Sequence, residues 1–77
     1  MPRSPLAYLA DIVDACEAIE SFLAGVNPDD YRAARMTRSA VERQLILIGE
    51  AGGSLLRLEP QLSERISHAR RIVYFRN

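Results

Sequence analysis

The last 13 residues of the chain hold Arg65, Arg70, Arg71 and Arg76 and no acidic residue. A guanidinium forks onto a phosphate or a carboxylate through two hydrogen bonds, and it can stabilise charge that develops on a phosphate. Such a run suits a nucleic-acid face, and it equally suits an ion-paired interface between helices. His68 is the single histidine and Cys16 the single cysteine. An imidazole is the side chain best matched to proton transfer near neutral pH. His68, however, falls in the first turn of the last predicted helix and reads as a surface residue. Cys16 falls on the apolar face of the first predicted helix and reads as core. One cysteine excludes a disulfide within the chain, and one Cys with one His cannot make a structural zinc site. No metal and no cofactor is expected.

The elements that must carry these residues are helices. Ser4-Pro5 is a helix start: serine caps the free amides, and proline at the first position loses an amide that had no partner. Leu6, Leu9, Ile12, Val13, Cys16, Ile19 and Phe22 follow at steps of three and four, the spacing of one helical face. Asp11, Asp14, Glu17 and Glu20 then form an acidic strip on the expected wet side. Gly25 is a natural stop, so a first helix is predicted over Pro5–Ala24. Asn27-Pro28-Asp29-Asp30 opens a short helix, with Tyr31 and Ala34 turned inward. A long helix is predicted from Thr37 or Ser39, where Ser39 and Glu42 have capping-box spacing. Its apolar positions are Val41, Leu45, Ile48, Leu55 and Leu58, and Glu59-Pro60 ends it. Leu62 to Ile66 reads as a turn, and Ser67 as the cap of a last helix with Ile72 and Phe75 on one face.

Gly49, Gly52 and Gly53 lie inside the long helix, where each costs roughly 1 kcal/mol relative to alanine. Close approach by a neighbouring helix would offset that cost. A phosphate-cradling loop is excluded, because no strand precedes the glycines and no Gly-Lys-Ser/Thr follows them. No strand-like alternation or repeat occurs, so the predicted architecture is all-α, an antiparallel helical bundle in one domain over residues 1–77.

Net charge is zero, yet residues 1–30 carry −5 and residues 31–77 carry +5. All ten basic residues are arginine. A chain of 77 residues makes one marginal domain, and small scaffolds commonly gain stability by self-association. No signal peptide opens the sequence, and no apolar run approaches the roughly 20 residues of a membrane helix. With its lone cysteine the chain reads as cytoplasmic, with no membrane partner.

The order of segments resembles a known family. Tyr8-Leu9-x-Asp11-Ile12 is followed by Arg35-Met36-Thr37, then Ala40-Val41 and Ile46-x-Ile48-Gly49-Glu50-Ala51, and finally Ile72-Val73-x-Phe75-Arg76-Asn77. This arrangement is similar to HepT-like HEPN-domain ribonuclease toxins, which pair with a minimal nucleotidyltransferase antitoxin. The resemblance covers essentially the whole chain. It implies an up-and-down bundle, a homodimer, an RNA substrate and a catalytic motif of Arg, four to six spacer residues, His, one residue and Tyr. Arg76 matches the arginine and Asn77 the polar residue after it, and Arg70 and Arg71 are the expected RNA contacts. The motif's histidine and tyrosine, and the family's fourth helix, have no counterpart within these 77 residues. His68 precedes Arg76 by eight positions and does not fit that place. The expectation is therefore an endoribonuclease toxin whose 77 residues alone lack the proton-transfer group and do not cleave. The alternative is a non-catalytic helical interaction module.

Overall fold

The computed structural model describes the backbone of residues 3–76 and the side chains of residues 3–68 and 71. Helix α1 spans Pro5–Leu23, α2 Pro28–Ala33, α3 Arg35–Leu58 and α4 Gln61–Arg76, and no strand occurs among the described residues. The protein is all-α.

The helix ends follow local chemistry. The Ser4 hydroxyl accepts from the Ala7 amide at 3.3 Å, with Pro5 at the first helical position. Gly25 takes φ 72°, the left-handed backbone that stops α1 and that glycine adopts without a Cβ penalty. The Asn27 carboxamide oxygen accepts from the Asp30 amide at 2.9 Å and opens α2. Asp29 and Asp30 sit in that first turn, where the helix dipole favours them.

Two starts differ from the sequence reading. Helix α3 begins at Arg35, not at Thr37 or Ser39, and no side chain caps it. Ala34 does both jobs at the joint. Its amide donates to the Asp30 and Tyr31 carbonyls, and its own carbonyl accepts from the Arg38 amide. The Arg38 guanidinium donates to the Arg32 carbonyl at the end of α2. Helix α4 begins at Gln61, so Leu62–Ile66 is helical and Ser67 lies inside the helix. Pro60 fixes a helical φ at the joint, and no Gly or Pro follows to interrupt the helix.

Helices α1 and α3 pack antiparallel: Tyr8 lies near Ser54 in one groove, and Leu23 lies near Val41 in another. The buried residues at their contact are Ala15 from α1 and Val41, Ala51 and Leu55 from α3. Alanines at the crossing let the backbones approach closely. The small-residue contact is thus made by Ala51, not by the neighbouring glycines. Among the described residues, a Cβ on Gly49 or Gly52 would meet no atom within 4 Å, and one on Gly53 would only touch the end of Arg57 at 3.6 Å. The expected close approach to the glycines is not made among the described residues.

The apolar stripe of α1 also divides. Ile12 and Ile19 turn toward α3, whereas Leu6, Leu9, Val13 and Phe22 are exposed. Cys16 is exposed as well, and is not a core residue. On α3, Leu45, Ile46 and Leu56 are exposed. Helical spacing places Leu9, Val13 and Cys16 on the opposite side of α1 from Asp11 and Asp14, and Leu45 and Leu56 opposite Glu50 and Ser54. The two sides differ in degree: Glu20 shares the side of Leu9 and Val13, and the exposed Phe22 and Ile46 share the side of Asp11 and Glu50, so one side is richer in carboxylates and the other in apolar groups. Helix α4 shares few contacts with α3. The radius of gyration is 15.4 Å, against about 11 Å for a compact domain of this length. The molecule is flat, with extents of 42 × 40 × 14 Å.

Replacing Gly52 by alanine should stabilise the protein by roughly 1 kcal/mol and raise Tm by about 4–8 °C, since helix propensity rises and nothing obstructs the new methyl. Thermal unfolding followed by circular dichroism reads the sign. A lowered Tm would place another helix against Gly52 in solution.

Candidate functional site

Two polar regions flank the α1–α3 pair and its extension. The first is a groove of about 530 Å³ on the carboxylate-rich side, between α1 and α3. Asp11 and Asp14 stand one turn apart on α1, and Glu50 and Ser54 one turn apart on α3, so antiparallel packing brings all four to the same groove. Arg3 reaches over from the N-terminal side. Its guanidinium forks onto the Asp11 carboxylate, with Nη1 to Oδ2 at 2.5 Å and Nη2 to Oδ1 at 3.3 Å. Its Cζ also lies 5.1 Å from the Tyr8 ring centroid, a cation–π arrangement. Hydrogen bonding to Arg3 holds the Asp11 carboxyl below the usual carboxylate range, against the opposing pull of desolvation, and Arg3 is correspondingly raised.

This groove was not legible as a site. From sequence the strip Asp11 to Glu20 reads as a solvated face or as a partner for Arg residues of a neighbouring helix or protomer; Asp11 is half-exposed beside α3 and takes its arginine, Arg3, from just ahead of its own helix. The usable signal was the i, i+3 pair Asp11/Asp14 together with the i, i+4 pair Glu50/Ser54 on two helices joined by a short antiparallel connection. No group of His, Cys, Asp and Glu able to hold a metal ion occurs among the described residues.

The second region is α4. The helix backbone continues through Arg76, so Arg70, Arg71 and Arg76 ride on one continuous helix. Arg71 is exposed. The side chains of Arg70 and Arg76, and Asn77 altogether, lie outside the described residues, as do the side chains of Ile72 and Phe75. His68 is exposed one turn before Arg71, in the middle of α4 and not at its start. With Ser63, Glu64, Ser67 and Arg71 it lines a shallow groove of about 490 Å³ along one side of the helix. Donors on that side could bind a phosphate. Proton transfer at a reacting oxygen requires a further group at the spacing the family motif describes.

A family model described as "HepT-like: Ribonuclease HepT-like" matches residues 12–77. A protein of Thermococcus cleftensis named "Probable ribonuclease HepT" is 38% identical over 69 residues, a match covering 84% of this chain and 63% of that protein. The chain thus spans less than two thirds of that relative's length. No solved structure matches the chain. The family match includes both the Ile46–Ala51 and the Phe75–Asn77 segments, whereas the Arg3–Asp11 groove corner lies ahead of it.

The Arg3–Asp11 pair has a testable signature. A carboxylate with a depressed folded-state pKa adds stability above its unfolded pKa and loses it as pH falls through the folded one. An NMR titration of the Asp11 carboxyl should therefore give a midpoint below the ordinary aspartate value. Arg3→Ala should return it toward that value, and Asp11→Asn should flatten the acid limb of the stability curve. An unchanged Asp11 midpoint in Arg3→Ala would show that Arg3 is not the cause.

Proposed function

Because the chain belongs to the HepT-like ribonuclease family, we propose that α4 carries the phosphate-binding half of a metal-independent endoribonuclease site. The observation that carries this reading is the family match running through Phe75-Arg76-Asn77. In the proposed reaction a general base takes the proton of an RNA 2′-hydroxyl. The 2′-oxygen attacks the adjacent phosphorus, and the 5′-oxygen leaves with a proton from a general acid. Arg76 forks onto the scissile phosphate and stabilises the charge that builds on its oxygens. Asn77 offers a neutral amide donor beside it. Arg70 and Arg71 hold the flanking backbone. The proton-transfer role falls to the histidine that the family motif sets four to six residues past the arginine.

The fuller assignment is a toxin of the cytoplasm, active as a homodimer and held in check by a nucleotidyltransferase-type antitoxin. Support for association comes from the exposed apolar-rich side of the α1–α3 pair, a feature that normally marks an interface. Among the described residues no helix is long and apolar enough to cross a membrane. That same apolar-rich side also favours the second reading, a helical interaction module that binds partners without cutting RNA.

The two readings separate on activity. Residues 1–77 alone should not cleave RNA measurably, whereas the protein extended through the motif histidine should. In the extended protein, Arg76→Ala should lower cleavage by about 10²–10³-fold, the cost typical of deleting one charge-stabilising donor, with the circular dichroism spectrum unchanged. Expression of the extended protein should arrest growth, and Arg76→Ala should relieve that arrest. Cleavage by residues 1–77 that survives Arg76→Ala would refute the assignment of Arg76, and an extended protein that folds and never cleaves would favour the interaction module.

A further inference from the structure

The side of α4 that carries Ser63, Ser67, His68 and Arg71 has a regularity of which the proposed function uses Arg71 alone. Ser63, Ser67 and Arg71 recur every four residues, so they form one nearly straight row, and His68 lies beside it. Every one of these side chains is exposed. None forms a side-chain hydrogen bond or ion pair among the described residues. Hydroxyl, imidazole and guanidinium groups are all donors, which suits an anionic, acceptor-rich ligand. From Ser63 to Arg71 the helix rises about 12 Å, the axial length of roughly three to four stacked nucleotides of one strand. A single phosphate or carboxylate would use one turn of such a row and leave the rest idle.

We infer that this row is a contact strip for the phosphodiester backbone of a polynucleotide strand, lying on the N-terminal side of Arg76 on the same helix. The inference rests on the ribonuclease reading for its ligand class and adds the residues that hold the strand away from the scissile bond. Phosphate contacts of this kind fix register and carry no base information. Glu64 is the exception that gives the strip its test. Its carboxylate borders the same groove and repels a phosphate laid along the row. Glu64 therefore weakens binding, while Ser67 and Arg71 strengthen it. Arg65 supplies the control: it is exposed and carries the same charge as Arg71, but it stands about 120° around the helix from Arg71 and does not line the groove.

The experiment is fluorescence anisotropy of a labelled single-stranded RNA with the 77-residue chain and its variants, across a salt series, with circular dichroism to verify folding. Arg71→Ala should weaken binding several-fold and make the slope of log K against log salt shallower by about 0.7. Ser67→Asp should weaken binding, and Glu64→Gln should tighten it several-fold, a gain that misfolding cannot produce. Arg65→Ala should leave affinity and slope close to the unchanged protein. Equal losses from Arg65→Ala and Arg71→Ala would overturn the strip in favour of undirected charge attraction. Weakening or no change in Glu64→Gln would overturn it too, as would an acidic peptide that competes equally with the RNA. Failure of the strip and failure of the ribonuclease reading are distinguishable. Cleavage by the extended protein that ignores Glu64→Gln and Arg71→Ala would discard the strip alone. Strip-dependent binding in an extended protein that never cleaves would discard the ribonuclease alone.

Discussion

The antiparallel contact of α1 and α3 is the constraint on which the other features depend. It is made by small and medium side chains, Ala15 and Ala51 at the crossing with Val41 and Leu55 beside them. Among the described residues no large side chain is fully buried. Two helices in contact along one line must leave two open sides. Here the sequence weights those sides differently: Asp11, Asp14, Glu50 and Ser54 on one, with Phe22 and Ile46 at its ends, and Leu9, Val13, Cys16, Leu45 and Leu56 on the other, with Glu20 among them. The polar groove and the apolar surface are thus consequences of one packing decision. The chain's marginal size sharpens this, because a domain of this length buries little more than about 60% of its unfolded surface even when compact.

Much of the fold could be read directly. The Ser4-Pro5 start, the Gly25 stop, the short helix opened at Asn27-Pro28-Asp29-Asp30 and the Glu59-Pro60 break are local events, governed by groups within a few residues of one another, and the structure has each of them. Two features resisted reading because they are settled by competition. At Ala34 the chain ends one helix and begins the next with backbone groups alone, so the better capping side chains of Thr37 and Ser39 are bypassed. Along α1 the apolar residues occupy a wider arc than one partner helix can cover. Periodicity marks such an arc but cannot say which edge of it is buried. Ala15, the most buried of the described residues, was inconspicuous among larger neighbours. The glycines misled for the same reason: Ala51 sits on the line of contact, and Gly49 and Gly52 are displaced around the helix from it.

The candidate site was legible in a different way. Its arginines are visible as a charge asymmetry, and the Phe75-Arg76-Asn77 segment as a family motif, but neither follows from packing. What the structure adds is continuity. Because α4 runs unbroken from Gln61 to Arg76, the serines, His68 and Arg71 acquire a fixed register relative to the motif arginine. A turn over Leu62–Ile66 would have removed that register. The zero net charge of the whole chain conceals this polarity, since the acids concentrate in the first helices and the arginines in the later ones.

The proposed chemistry is tested most directly by the ends that cleavage leaves. The protein carrying the family motif's histidine past Arg76 would be incubated with RNA in excess EDTA, and the product termini identified by mass spectrometry. Attack by the 2′-oxygen predicts undiminished cleavage with 2′,3′-cyclic phosphate on one fragment and a 5′-hydroxyl on the other. Cleavage abolished by EDTA, or fragments bearing 5′-phosphate, would contradict a metal-independent site in which Arg76 stabilises the phosphate.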